Sequence, residues 1–195
     1  MTKAHADIRM IKIRHRRSEA NHNIRTSAME IRYRQALADD IQDIETLITK
    51  AIAHMKENGI EQWDELYPTK DDFMDDIRNN QLTVGCIENQ IAVVFTINQT
   101  YDAEYENGRW KAPEKSFNVV HRLCVHPKFQ NMGIARQAMD YIEKQTLSEG
   151  KQAVRLDVYS KNTYANRLYL GRGYQKVGEV EWRKGCFYLM EKYLD

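Results

Sequence analysis

The stretch NVVHRLCVHPKFQNMGIARQAMDYIEKQTLSEG, residues 118–150, constrains the fold more than any other part of the chain. Its first eight residues, Asn118–Val125, read as a strand. HPKFQNMG follows with neither period. From Gly133 to Glu149, Ala135, Ala138, Met139 and Ile142 recur at i, i+3, i+4 and i+7, the spacing of an amphipathic helix, and Gly150 ends it. AVRLDVY (Ala153–Tyr159) is again a strand. A strand that feeds a glycine loop and then a helix makes a ready anion site, because a helix N-terminus presents unpaired N–H groups and a partial positive charge. Gly133 permits close approach of the backbone to such a ligand, and Ala135 keeps the next turn low. Other phosphate loops fit badly: there is no Gly-Lys-Ser/Thr sequence and no GxGxxG.

The flanking segments supply the other elements. IRYRQAL (Ile31–Leu37) reads as an opening strand. A helix from about Asp39 to Asn58 sets Ile41, Ile44, Leu47, Ile48, Ala51 and Met55 on one stripe, with Asn58-Gly59 as its C-cap. A polar, aromatic-bearing connection leads to a short helix over Lys70 to Asn79. LTVGCIE (Leu82–Glu88) and IAVVFTIN (Ile91–Asn98) read as a hairpin turning at Asn89-Gln90. Thr100 to Ser116 is an irregular insertion holding Tyr101, Tyr105 and Trp110. A helix over Asn162 to Leu170 and two strands, about Tyr174–Val180 and Cys186–Tyr193, close the chain. The order β-α-α-β-β-β-α-β-α-β-β predicts an α+β domain with helices on the faces of a mixed sheet.

At 195 residues the chain has room for one full hydrophobic core. No run of about 18 apolar residues exists, so no transmembrane helix and no membrane partner is expected. Cys86, Cys124 and Cys186 stand far apart, without metal-type or CxxC spacing. No metal site is expected, and so sparse a count suits a reducing, cytoplasmic setting. Charge is unevenly spread. In residues 1–28, seven basic side chains face only Asp7 and Glu19, a net +5 against −4 for the remainder. No aromatic residue is interleaved to stack on bases, so this arm reads as a solvated extension rather than a nucleic-acid contact. The expected organisation is a basic extension over residues 1–30 and one domain over 31–195.

QNMGIA (Gln130–Ala135) matches Q/R-x-x-G-x-G/A, and NTYANRLYLGRGY (Asn162–Tyr174) matches N-x-x-A-x-x-L-Y-x-x-x-G-F/Y. Both patterns, in this order and separated by one helix and one strand, resemble those of the GNAT N-acetyltransferase superfamily. From Ile31 to its end the chain resembles a GNAT domain. That resemblance implies a mixed, mostly antiparallel central sheet of about seven strands flanked by about four helices. It also implies acetyl-coenzyme A as co-substrate and an amine as acceptor.

Acyl transfer to an amine needs a held thioester, a deprotonated nitrogen, donors for the developing oxyanion and an acid for the departing thiolate. By the resemblance, the backbone of Leu123, Cys124 and Val125 pairs with the pantetheine arm. Gln130, Asn131, Met132, Gly133, Ile134, Ala135 and Arg136 form the pyrophosphate loop, with Arg136 or Lys128 adding charge. Asn162 bonds the cofactor's amide-bearing arm. Tyr169, a phenol with an ordinary pKa near ~10, is the expected general acid.

His121, with an ordinary value of about 6.5, is the expected base, acting directly or through water; a structural strand histidine is the alternative. Alternation places His121 with Val119, Leu123 and Val125, and puts Cys124 on the opposite face as an apolar buried thiol rather than a nucleophile. Trp63 and Tyr67, among the acids Glu57, Glu61, Asp64, Glu65, Asp71, Asp72, Asp75 and Asp76, are expected on the acceptor side, either as a receiving wall for a cationic amine or as solvated helix faces. The acceptor is open: a primary amine on a small molecule or a peptide N-terminus. Two other readings are a non-catalytic acyl-coenzyme A sensor and an acetyltransferase directed to RNA or ribosomes by the basic arm. A homodimer is compatible with the resemblance.

Overall fold

The computed structural model describes residues 30–111 and 116–194. The basic arm, the expected boundary at residue 30 and residues 112–115 of the insertion lie outside or at the limit of the described residues. Seven strands form one sheet: β1 (Arg32–Gln35), β2 (Leu82–Ile87), β3 (Gln90–Asn98), β4 (Phe117–Val125), β5 (Ala153–Tyr159), β6 (Gln175–Trp182) and β7 (Gly185–Tyr193). Their order is β1-β2-β3-β4-β5-β7-β6, and every neighbouring pair is antiparallel except β4 with β5. Four α-helices accompany them among the described residues: α1 (Ile41–Glu57), α2 (Lys70–Arg78), α3 (Ile134–Ser148) and α4 (Thr163–Gly171).

The apolar stripe of α1 buries Ile44, Leu47, Ile48 and Ala51. With Phe73 of α2 they pack over Leu82, Val84, Ile91, Val94 and Cys124 of the sheet. Each large aliphatic side chain buried there stabilises the fold by about 1.5–3 kcal/mol. Thr69 and Asp72 start α2 with a reciprocal capping box. The residue after Val94 points the other way: the ring of Phe95 meets that of Tyr141 on α3, centroids 6.0 Å apart. Helices α1 and α2 therefore cover one face of the sheet and α3 the other. The buried side of α3 is Ile134, Ala138, Met139 and Ile142, with Ala135 at its margin.

Three local departures from the sequence reading have identifiable causes. The hairpin turns at Glu88-Asn89, one residue earlier than expected, with Ile87 paired to Gln90 and Glu88 at φ +54°. β1 ends at Gln35, because the chain turns into a 3-10 segment, Ala38–Asp40, whose Asp40 carboxylate accepts the Leu37 N–H at 2.7 Å. The third departure bears on function. Val94 pairs with Cys124 and Thr96 with His121, so β4 spends three steps where β3 spends two. The extra residue is a β-bulge at Arg122, at φ +53°. It resets the alternation and returns Cys124 to the same face as His121, correcting the expectation that they oppose each other.

The β4–β5 pairing runs from Phe117–Ala153 to Val120–Leu156, while β4 continues to Val125 and β5 to Tyr159. The one parallel pair among the described residues thus parts halfway along and leaves a cleft.

Candidate active site

A cavity of about 790 Å³ opens where β4 and β5 separate. It brings together six of the residues expected from sequence: Trp63 and Tyr67 before α2, His121 and Leu123 on β4, and Asn162 and Tyr169 on α4. The segment Gln130–Arg136, together with Cys124 and Val125, is not part of its lining. Cys124 instead lies in the core under α1, where burial pushes its thiol up to about 12.

The Gly133 segment is built from backbone. After the 3-10 turn Pro127–Phe129, Gln130 donates from Nε2 to the Val125 carbonyl at 3.1 Å, tying the loop to the end of β4. Asn131 and Gly133 both take left-handed conformations, φ +61° and +78°. The N–H of Gln137 is bonded to the Gly133 carbonyl. The N–H groups of Ile134, Ala135 and Arg136 stand before that bond and have no acceptor inside the helix. A Cβ on Gly133 would meet no atom within 4 Å, so the space above this N-terminus is open. Open donors at a positive helix end fit a pyrophosphate. Lys128 holds Gln90 Oε1 at 2.9 Å, and Arg136 is exposed.

Asn162 caps α4: its Oδ1 accepts the Ala165 N–H at 3.0 Å, and its Nδ2 donates to Gln62 Oε1 at 2.7 Å. The amide group nearest the cavity is therefore already engaged with Gln62, and any bond to a ligand there exchanges that partner. Tyr169, which lines the cavity, packs against Tyr174 with ring centroids 5.7 Å apart. Burial, and then the neighbouring Asp157, push its phenol above the ordinary value, so it stays protonated at neutral pH.

His121 differs from expectation. Its Nε2 lies 3.0 Å from both Asn98 Oδ1 and the Thr100 carbonyl, two acceptors, so this nitrogen carries the hydrogen and donates. Burial and the adjacent Arg122 lower its pKa to about 4. A neutral, weakly basic imidazole held as a donor suits a positioning part better than the base role that was expected.

Sequence reasoning missed Arg122 and Asp157, and read Asp76 only as one of a cluster of acids and Tyr105 only as part of the insertion; all four line the cavity. Arg122, on the bulge, donates from Nε to Asp76 Oδ2 at 3.1 Å, from Nη2 to the same oxygen, and from Nη1 to the Tyr67 hydroxyl at 2.9 Å. Asp76 is buried on α2 and also accepts the Thr96 hydroxyl at 2.7 Å. Several neighbouring acids are similarly occupied. Asp64 binds both Arg183 nitrogens at 2.7 and 2.8 Å and Lys184 at 3.2 Å, Asp72 sits in the capping box, and Asp75 pairs with Arg78. Asp64 and Asp72 are thus engaged within the fold, whereas Asp75 stays exposed on α2 in an i,i+3 pair, as a solvated helix face would.

The insertion contributes Tyr105 from a 3-10 turn, Ala103–Asn107. Tyr101, Tyr105 and Trp110 stack at 5.4 Å spacings, and Arg109 N–H docks on the Val177 carbonyl of β6 at 2.8 Å. The only advance signal for Asp157 is its charge inside AVRLDVY, an otherwise largely apolar strand. Among the described residues no helix is long and apolar enough to cross a membrane, and no group of three or more His, Cys, Asp or Glu is arranged to hold a metal ion.

A cleft made by the parting of one parallel strand pair, with a helix N-terminus opening at a glycine nearby, sits in a fold that this chain shares with known proteins. Residues 61–174 match the model of the acetyltransferase (GNAT) family. Among solved structures, a GNAT-family acetyltransferase from Streptococcus agalactiae is 26% identical, with TM-score 0.73, over 85% of this chain and 96% of that one. YncA of Salmonella typhimurium, solved with acetyl-coenzyme A, is 16% identical, with TM-score 0.62 over 85% and 95% of the two chains. The PaiA N-acetyltransferase of Thermoplasma acidophilum, solved with coenzyme A, is 14% identical, with TM-score 0.63 over 85% and 99%. The last two are likenesses of fold. No curated protein matches the sequence. The chain belongs to the GNAT family and is an acetyltransferase.

Proposed function

We propose that the chain moves the acetyl group of acetyl-coenzyme A directly to a primary amine, with Tyr169 as the general acid. The observation that carries this reading is the cleft itself. Tyr169 stands in it, the unpaired continuation of β4 forms one wall, and the open helix N-terminus at Gly133 lies beyond Val125. The cofactor supplies the activated acyl thioester. Its diphosphate would take the N–H groups of Ile134, Ala135 and Arg136, with the side chain of Arg136 or Lys128 adding charge. Its pantetheine arm would follow the backbone of Leu123 to Val125, with Asn162 exchanging Gln62 for a ligand amide.

Tyr169 holds its proton at neutral pH and would give it to the departing thiolate. A tyrosine that stands in the cleft with a high pKa favours an enzyme over a sensor that merely binds acyl-coenzyme A. The acceptor is a primary amine on a small molecule or a peptide.

Thermal unfolding with acetyl-coenzyme A, coenzyme A and ATP tests the binding half. Ligand at about 100 times its dissociation constant adds about 2.7 kcal/mol. Both coenzyme A forms should raise the melting temperature while ATP does not; equal responses to all three would remove the cradle. For the chemistry, Tyr169→Phe should lower turnover about 10²–10⁴-fold and leave acetyl-coenzyme A affinity nearly unchanged. Wild-type turnover in that variant would remove the role.

A further inference from the structure

We propose that Asp157, held by the Tyr105 hydroxyl at the point where β4 and β5 part, receives the acceptor amine in its ammonium form and takes up the proton that the nitrogen must lose. This rests on the acetyl-transfer reading above and assigns the base that His121 does not supply.

Three observations carry it. The first is place. Leu156 is the last β5 residue paired with β4, so Asp157 is the first residue of β5 inside the cleft, and it lines the same cavity as Tyr169. The second is the state of its neighbours. The cations that line the cavity are held by other acids: Arg122 by Asp76, and Arg183 and Lys184 by Asp64. Asp157 instead accepts a neutral hydroxyl, Tyr105 Oη to Oδ1 at 2.8 Å. A partly buried carboxylate paired with a phenol rather than a cation suits a cationic ligand.

The third is the surface around it. Trp63, Tyr67, Tyr101 and Trp182 line the cavity, and aromatic faces attract ammonium groups. The groups whose charges act on Asp157 are Tyr105 and Asp102 from the insertion, Arg122 from β4, Tyr169 from α4 and Tyr67 from the loop before α2. Burial dominates among them and pushes the carboxyl up to about 6, close to where a general base works at neutral pH.

The acceptor class follows: a primary ammonium whose neighbouring carbon carries no carboxylate, since a second anion would meet Asp157 and Asp102. The protons balance. One N–H proton passes to Asp157 and on to solvent, and the freed electron pair forms the N–C bond. The C–S pair leaves with sulfur, which takes the Tyr169 proton. A second nitrogen proton restores Tyr169, and the third remains on the amide.

The experiment follows thiol release from acetyl-coenzyme A with tyramine and spermidine, and with glutamate as the anionic probe, over pH 5–9 in wild type, Asp157→Asn and Tyr105→Phe. Wild type should acetylate tyramine or spermidine in preference to glutamate, with kcat/KM rising through an inflection near pH 6. Asp157→Asn should keep its thermal response to acetyl-coenzyme A, lose at least about 100-fold in kcat/KM and lose the inflection. The Tyr105 hydrogen bond favours the carboxylate, so Tyr105→Phe should move the inflection to higher pH.

Wild-type rate and pH profile in Asp157→Asn would overturn the assignment while acetyl transfer stood. Preference for glutamate, or no reaction with any probe in a protein that still answers acetyl-coenzyme A, would overturn the acceptor class. No thermal response in wild type would instead bring down the parent reading, and the base with it.

Discussion

The cavity and the Gly133 segment beyond the end of β4 are made of different material. The Gly133 end is backbone: one continuous loop, two left-handed residues and a helix start, with side chains turned to solvent or core. The acceptor end is side chains, converging from β4, β5, α2, α4, the insertion and the β6–β7 hairpin. The first should tolerate changes of side chain and fail on changes of φ. The second should tolerate changes of loop and fail when one member of a buried pair is removed.

The largest effect should come from breaking such a pair. Arg122 and Asp76 have side chains only 11% and 8% exposed, and Asp76 keeps just the Thr96 hydroxyl if the guanidinium is lost. Arg122→Leu should therefore destabilise by about 3–5 kcal/mol, on the order of 10 °C in melting temperature. Adding Asp76→Leu should recover much of that, because the uncompensated charge is then gone. A single variant within about 1 kcal/mol of wild type would mean that the acceptor end does not depend on buried pairing.

A smaller effect separates His121 from Asp157. The folded-state pKa of His121 is lowered to about 4 from an ordinary 6.5. Its contribution to stability is thus full above about pH 6.5 and is lost as pH falls toward 4. Asp157 is raised to about 6 from near 3.8, so its contribution is full below its ordinary value and is lost as pH rises through 6. Between pH 4 and 6 the two slopes oppose each other, each worth up to about 3 kcal/mol. Relative to wild type, His121→Gln should lose stability more steeply as pH rises across that window, and Asp157→Asn should gain it more steeply. Urea melts at pH 4.5, 5.5 and 6.5 read this directly; curves parallel to wild type would show that neither group titrates as its surroundings dictate.

This contrast also decides what was legible in the sequence. The loop at Gly133 and the helix that opens at Asn162 are local patterns, so spacing and glycine position were enough to place both. The strands and helices likewise follow from apolar period, apart from ends and the early hairpin turn. The acceptor end depends on partners far apart in sequence: 46 residues separate Arg122 from Asp76, and 52 separate Tyr105 from Asp157. The bulge that aims Arg122 adds one residue to β4 and leaves no mark in composition, which is why strict alternation misplaced Cys124. Asp64 and Asp76 were read as part of a charge cluster, although each has a specific cation brought to it by the sheet.

The smallest predicted effect on stability is the sharpest test of the backbone end, because α3 supplies its own control. Gly133 precedes the helix at φ +78° and Gly150 follows it at φ +72°, and a Cβ on either would meet no atom within 4 Å. Alanine at either position carries only the left-handed backbone penalty, about 1–2 kcal/mol, without a clash. Gly133→Ala and Gly150→Ala should therefore lower the urea midpoint by similar amounts with unchanged m-values. They should differ in acetyl-coenzyme A affinity. At Gly133 the new methyl group stands in the open space through which a diphosphate reaches the N–H groups of Ile134 to Arg136, whereas at Gly150 it stands at the far end of the helix. Calorimetric titration of both variants isolates binding from backbone strain: a loss at Gly133 alone supports a cradle of N–H groups, and equal affinities would mean that the ligand does not use this helix end.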